Sequence, residues 1–225
     1  MRLMVACPTM DKIDLLFATS LFGMNRCAEM NFQFQSNSLV WEARNSLAKK
    51  AVDGGYDRIL WIDSDMKFDK TLAETLSNDL DEGRDFVGTC CFKRSLPTQP
   101  LICKTLDWWM DEKGIPHSHA DLYLDYPKDQ VFEVAGIGLG ALMMKTELFG
   151  KVTEAFGVLP FTPMPMMSED YSLCWRLTKL GIPLYCDSRI KIQHIGQYMY
   201  GEEDWLKQNT VCDVWFTQDD LNEGK

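Results

Sequence analysis

No stretch of this 225-residue chain stays apolar for more than a handful of residues, far short of the roughly 20 that a membrane-spanning helix needs. The segment Met1 to Pro8 has one Arg and a short apolar run, but Asp11, Lys12 and Asp14 follow at once, which is not a secretory signal pattern. Positive charge is in deficit. Lys and Arg number 23 against 33 Asp and Glu, a net charge of −10, which argues against gripping a nucleic-acid backbone through bulk charge and gives no support to a nucleic-acid partner. The 8 cysteines (Cys7, Cys27, Cys90, Cys91, Cys103, Cys174, Cys186, Cys212) form no Cys-x-x-Cys pair. Most lie inside apolar runs, where a free thiol acts as a small buried hydrophobe, so the expected setting is reduced, intracellular and cytoplasmic. No repeat and no Ser/Gly/Pro-rich linker occurs, and 15 Gly with 9 Pro is ordinary usage, which excludes collagen-like and low-complexity chains. What remains is a chain 46% hydrophobic with 12 Phe, 7 Trp and 7 Tyr, enough for one large core, and a single domain over 1–225 is expected.

Short apolar runs alternate with amphipathic stretches. Leu3 to Cys7 reads as a strand, Asp11 to Phe22 as a helix, Asn31 to Ser36 as a strand, and Val40 to Val52 as a helix stopped by Gly54-Gly55. Arg58 to Ile62 is a strand. Asp69 is placed to cap a helix in which Leu72, Leu76 and Leu80 recur every four residues, and Asp85 to Phe92 is a further strand. This alternation predicts an α/β fold with a mostly parallel sheet and helices on both faces. Beyond it, Ser95 to Lys128 is polar and irregular, Val131 to Lys145 strand-like and Gly-rich, Ser168 to Leu180 helical, Pro183 to His194 a strand, and Glu202 to Cys212 a last helix. A leading nucleotide-binding-like half, 1–95, is followed by a looser half over 96–200 and a C-terminal helix and tail over 201–225.

The sharpest chemical signal is Asp63-Ser64-Asp65 after the apolar run Ile59 to Ile62. On a strand, carboxylates at i and i+2 project from one face, and ligands of open α/β sheets bind beyond the carboxyl ends of strands. Two acids so placed repel unless a cation neutralises them, which favours a divalent metal; a solvated turn is the competing reading. An EF-hand is excluded, because no Gly or Glu falls at the required offsets. Ser168-Glu169-Asp170 suits a helix N-cap with acids in the first turn, and equally a carboxylate base on a rigid element. His194 is either a metal ligand at a strand end or an ordinary polar residue. Gly136-Ile137-Gly138-Leu139-Gly140 is not a dinucleotide fingerprint: it comes late and its third Gly is one position early. Arg44-Asn45 can meet a phosphate or face solvent, and Trp108-Trp109 can stack on a sugar or pack inside. His117-Ser118-His119 with Asp121 lacks further ligands at zinc spacing.

Together, Ile59 to Phe68 (ILWIDSDMKF), Val134 to Phe149 (VAGIGLGALMMKTELF) and Ser168 to Gly196 resemble the family 2-like glycosyltransferases of the GT-A fold, with weaker support from Ala6 to Thr9 and Ala43-Arg44-Asn45. The resemblance spans most of residues 1 to 196. It implies a GT-A-like sheet and a transfer of sugar from a nucleoside-diphosphate-sugar, a UDP- or GDP-sugar, to a hydroxyl acceptor. By that resemblance Asp65 ligates Mn²⁺ or Mg²⁺, Asp63 contacts the ribose or the metal's water shell, and His194 adds a metal contact. Pro8, Thr9 and Asp11 line the base and ribose, Ser64 joins the nucleotide contacts, Arg44 approaches the diphosphate, and Gly138 floors the sugar and acceptor site. Asp170 is the general base of an inverting displacement, with Glu169 beside it. Two rivals share the features: a sugar-nucleotide nucleotidyltransferase of the same fold, against which the glycine-free Ala6 to Met10 weighs, and a non-catalytic sugar-binding domain.

Overall fold

Every residue from Leu3 to Cys7 is fully buried, which a strand achieves only when both of its faces are covered. A computed structural model of the chain, describing residues 1–10, 12–36, 39–196, 199 and 201–207, shows what covers them. The elements run β1 (Arg2–Thr9), α1 (Leu15–Gly23), β2 (Glu29–Ser36), α2 (Val40–Asp53), β3 (Arg58–Ile62), β4 (Met66–Phe68), α3 (Leu72–Asp81) and β5 (Phe86–Thr89). They continue β6 (Ile102–Met110), β7 (Pro116–Leu122), β8 (Val131–Val134), β9 (Gly136–Ile137), β10 (Ala141–Lys145), α4 (Glu147–Phe156), α5 (Glu169–Lys179), β11 (Leu184–Asp187) and β12 (Ile192–His194). Residues 202–207 are helical as well. No helix among the described residues is long and apolar enough to cross a membrane.

The central sheet has seven strands in the order β2-β1-β3-β10-β5-β11-β8, mostly parallel, with β10 and β8 running against the rest. Alternate side chains of β1 feed two cores. Met4 and Ala6 join Leu47, Ala48 and Ala51 of α2, Val152 of α4 and Leu177 of α5, while Leu3, Val5 and Cys7 join Phe17 of α1 and Leu72, Leu76 and Leu80 of α3. The chain leaves β1 for β2 on one side, then returns past it to β3, so right-handed crossovers put α1 and α2 on opposite faces. The sheet order also shows that the two sequence halves are not separable units. Strand β10, from the second half, pairs with both β3 and β5 of the first.

Five expectations need correction or refinement. The span from Ser95 to Lys128, read as irregular, contains the antiparallel pair β6–β7, which β9 extends into a three-stranded sheet. Its residues alternate between buried and exposed too unevenly for a period-2 signal, because β7 is solvated along most of its length. The single strand expected over Pro183 to His194 is two strands in two sheets, and Val131 to Lys145 is three short strands. Helix α4 is additional; Gly150 in its middle hides the stripe made by Leu148, Phe149 and Val152. Asp69 does not cap α3: Thr71 is the N-cap, and the Asp69 carboxylate accepts from the Thr71 N–H and hydroxyl instead. The last helix was expected to run from Glu202 to Cys212; Lys207 ends the described part, and 208–212 lie outside the described residues.

Candidate functional site

At the carboxyl ends of β1 and β3, where the order of the strands reverses, lies a cavity of about 400 Å³. Nine of the eleven residues singled out from the sequence line it: Pro8, Thr9, Arg44, Asp63, Ser64, Asp65, Glu169, Asp170 and His194. Asp11 lies outside the described residues. Gly138 is buried away from the cavity: its N–H bonds to Leu101 O, and a Cβ there would press on the Leu101 side chain at 3.2 Å. It therefore does not floor the cavity. Gly140 is where close approach matters, since a Cβ would sit 2.7 Å from Cys91 Sγ and 3.2 Å from Met66 Sδ. Its carbonyl accepts the Asp63 N–H at 3.0 Å, anchoring the acidic turn to β10's lead-in.

The two aspartates do not reach the cavity as i, i+2 neighbours on a strand. Strand β3 ends at Ile62, and residues 63–65 form a turn closed by the Met66 N–H on Asp63 O. The turn gives each carboxylate different partners. Asp63 faces Arg44 of α2, whose Nη2 donates to Oδ1 at 2.9 Å and to Oδ2 at 3.2 Å. Asp65 Oδ2 accepts from Arg94 Nη1 at 2.8 Å and lies 3.1 Å from His194 Nε2. His194 is brought there by the β4–β12 ribbon, in which it stands opposite Met66 and the next N–H, of Ile195, bonds to Asp65 O at 2.7 Å. Its Nδ1 is 3.0 Å from Phe92 O.

Arg44 is only 4% exposed and ties the third piece into the site, with Nε 3.3 Å from Glu169 Oε1. Neighbouring Asn45 accepts the Phe161 N–H through Oδ1, pinning the segment that leads to α5. Ser168 is the N-cap of α5 by its extended backbone, but its hydroxyl donates to Asp170 Oδ1 rather than closing the helix end. Asp170 Oδ1 also takes the Tyr171 N–H at 2.8 Å; no other hydrogen bond to this carboxylate forms among the described residues.

Electrostatics follow from this crowding. Burial pushes the Asp63 carboxyl up, Arg44 opposes it, and Asp65 adds to it; the net shift is upward. Glu169 is raised for the same reason, burial first, with Arg44 opposing and Asp170 reinforcing. Burial also works against the Asp65 anion, yet the hydrogen bond and charge of His194, with Arg94, outweigh it and hold Asp65 below the usual carboxylate range. His194 is raised: burial lowers it, and the Asp65 bond and charge more than compensate. Arg44 stays firmly charged because Asp63, Glu169 and Asp170 overcome its desolvation. Four carboxylates thus share the cavity with two guanidiniums and the His194 imidazole, so acidic groups outnumber basic ones by four to three.

The donor set decides which cation fits. Among the described residues no three His, Cys, Asp or Glu side chains are grouped to hold a metal by themselves. Asp65 Oδ2 and His194 Nε2 make a two-donor edge, which suits an ion that keeps waters and takes ligands from substrate phosphates, such as Mg²⁺ or Mn²⁺, and does not suit a closed zinc cage. Two buried polar atoms of Arg44, Nε and Nη1, have no aligned hydrogen-bond partner, although Nε has Glu169 Oε1 3.3 Å away. Sequence reasoning missed Arg94. Its acidic partner is 29 residues away, and the only signal was its place just beyond β5, a parallel strand whose carboxyl end opens on this cavity.

No family profile matches the chain, and no curated protein matches it. Among solved structures, it resembles the crystal structure of A197 from STIV, with a TM-score of 0.58 and 17% identity over 88% of this chain and 87% of that one. A likeness at that identity is one of fold.

Proposed function

We propose that this chain is a metal-dependent glycosyltransferase with a GT-A-like fold, moving a sugar from a nucleoside diphosphate to a hydroxyl. The observation that carries the reading is convergence. Acids from β3's turn, an acid pair opening α5, an imidazole from β12 and a buried arginine of α2, far apart in sequence, line one cavity. A scaffold domain has no need to gather four carboxylates where they repel.

The roles follow from position. Pro8 and Thr9, at the end of β1, would form the wall for base and ribose, with Ser64, just beyond the neighbouring β3, lining the same cavity. Asp65 and His194 would hold Mn²⁺ or Mg²⁺, which neutralises the charge that develops on the departing diphosphate. Arg44 is assigned a positioning role: it holds Asp63 and Glu169 in fixed places and opposes the burial that works against their ionised forms. Asp170 would accept the acceptor's hydroxyl proton while that oxygen attacks the anomeric carbon and the diphosphate leaves from the opposite face, inverting the centre. Two donors on Oδ1 fix this carboxylate in place, which suits a base that must be aligned before reaction.

The test is direct. UDP and GDP are titrated calorimetrically with and without Mn²⁺, and the chain is then incubated with a panel of nucleotide-sugars and the products read by mass spectrometry. Metal-dependent nucleotide binding with release of nucleoside diphosphate is expected, and Asp65→Ala removes both. Binding that ignores the metal and Asp65 alike overturns the reading, and release of pyrophosphate from a nucleoside triphosphate replaces it with nucleotidyl transfer.

A further inference from the structure

The half-exposed Arg94 is the most exposed of the paired charged side chains in the cavity. Its guanidinium makes a single hydrogen bond among the described residues, to Asp65 Oδ2, and its side chain is 51% exposed. Arg44 is the opposite case, 4% exposed and clamped between two carboxylates. The backbone around Arg94 is nevertheless fixed. Lys93 N bonds to Gln99 O at 2.9 Å, Thr98 Oγ1 to Lys93 O at 2.6 Å, and Phe92 bridges to Pro100. Thr98 is fully buried. A rigid base therefore carries a free arm.

The oxygen that Arg94 occupies is also the one that His194 Nε2 approaches at 3.1 Å. A cation seated on that edge would share Oδ2 with the guanidinium at hydrogen-bond distance, and two positive charges so close in a partly buried site repel strongly. We propose that Arg94 and the divalent cation compete for Asp65 Oδ2, and that the guanidinium displaced by the cation turns onto the nucleoside diphosphate. The arm thus couples the two ligands. It lowers affinity for the metal alone and raises affinity for the metal with diphosphate, because the planar guanidinium fits a phosphate as well as it fits a carboxylate. This rests on the Asp65 cation site proposed above.

The experiment uses the full chain and Mn²⁺ alone, followed by the paramagnetic signal of free Mn²⁺, and then UDP or GDP at saturating Mn²⁺ by calorimetry. Arg94→Ala is expected to bind Mn²⁺ about three- to tenfold more tightly than the wild type, a competing charge having been removed, and to bind nucleoside diphosphate about tenfold more weakly, the scale of one charge-assisted hydrogen bond. Arg94→Lys retains the charge and should keep Mn²⁺ affinity near wild type. Arg94→Gln serves in place of the alanine variant if thermal melting shows that one to be unfolded. Weaker or unchanged Mn²⁺ binding in the neutral variants overturns the competition, and tighter Mn²⁺ binding with unaltered nucleotide affinity overturns the transfer to diphosphate. In either case, wild-type Mn²⁺ binding that Asp65→Asn abolishes leaves the cation site standing. A wild-type chain that binds no Mn²⁺ with or without nucleotide defeats the site and this inference together.

Discussion

Replacing Arg44 by Met keeps the apolar stem and deletes the charge that separates Asp63 from Glu169. The guanidinium is 2.9 Å from Asp63 and 3.3 Å from Glu169, and their side chains are 28% and 14% exposed. Removing one partner of a buried ion pair costs about 3–5 kcal/mol, and the lower end applies because Asp63 keeps more than a quarter of its surface in water. At neutral pH the variant should therefore be less stable by about 3 kcal/mol, which for a chain of this length lowers the melting temperature by about 6–12 °C. The deficit depends on pH with a definite sign. Both acids already titrate above their ordinary values, from burial that Arg44 opposes. Without Arg44 they rise further, so the folded variant binds protons that its unfolded chain has released, and its stability falls as pH rises through the raised values. Urea unfolding at about pH 5 and about pH 7.5 should give a clearly smaller deficit at the lower pH, and adding Glu169→Gln should restore part of the loss at the higher one. Equal deficits at both pH values, or a deficit below about 1 kcal/mol at neutral pH, would refute the assignment of Arg44 as the charge that holds this wall together.

Three further perturbations probe other parts of the molecule. Asp170→Asn retains an oxygen for the Ser168 hydroxyl and the Tyr171 N–H, so nucleotide binding measured by calorimetry should be unchanged while transfer measured by product mass spectrometry falls about 10²–10⁴-fold; equal loss of both would reduce Asp170 to a helix-end residue. Asp79 is pushed up to about 6 by burial and by the neighbouring Asp187, with Arg189 opposing. A raised acid stabilises the fold below its unfolded value and loses that contribution as pH rises through about 6, so stability measured in urea should fall over this range in the wild type more than in Asp79→Asn; matching slopes would contradict the burial of that carboxyl. Gly140→Ala places a methyl 2.7 Å from buried Cys91 Sγ, an overpacking cost of about 1–3 kcal/mol, and should also weaken Mn²⁺ binding by shifting the carbonyl that holds Asp63; an unchanged melting curve would show that the sulfur yields freely.

The doubly covered sheet was legible because its strands are uniformly apolar and its helices carry clean stripes: Leu72, Leu76 and Leu80 on α3, Ala43, Leu47 and Ala51 on α2. The hairpin over Ile102–Met110 and Pro116–Leu122 was not, since its polar face meets water and its buried residues are held by α5 and by the segment before it, as in the Trp108 Nε1 bond to Pro165 O at 2.9 Å. Strand order was equally hidden. Nothing in the sequence of Ala141–Lys145 tells that it enters between β3 and β5, because an antiparallel insertion has the same apolar pattern as a parallel strand. The acids, His194 and Arg44 emerged by type and spacing, whereas Pro8 and Thr9 came from the family resemblance alone; for Asp63 and Asp65 the geometric reason differed, since a turn after β3, rather than a shared strand face, directs them to separate partners. Arg94 escaped because a lone basic residue in a loop has no periodicity to betray it.

The ribbon joining β4 to β12 makes the spacing between an acid and an imidazole a property of backbone register alone. His194 stands opposite Met66, next door to Asp65, whatever the length of chain between them. Additions to the outer loops of the intervening 128 positions (66–193) leave that pairing untouched, so those loops can change in length at little cost to the pair. Deletion of one residue from the turn at Ser188–Lys191 is a different matter: the pleat would advance by one step, and the imidazole would be carried to the far side of the ribbon.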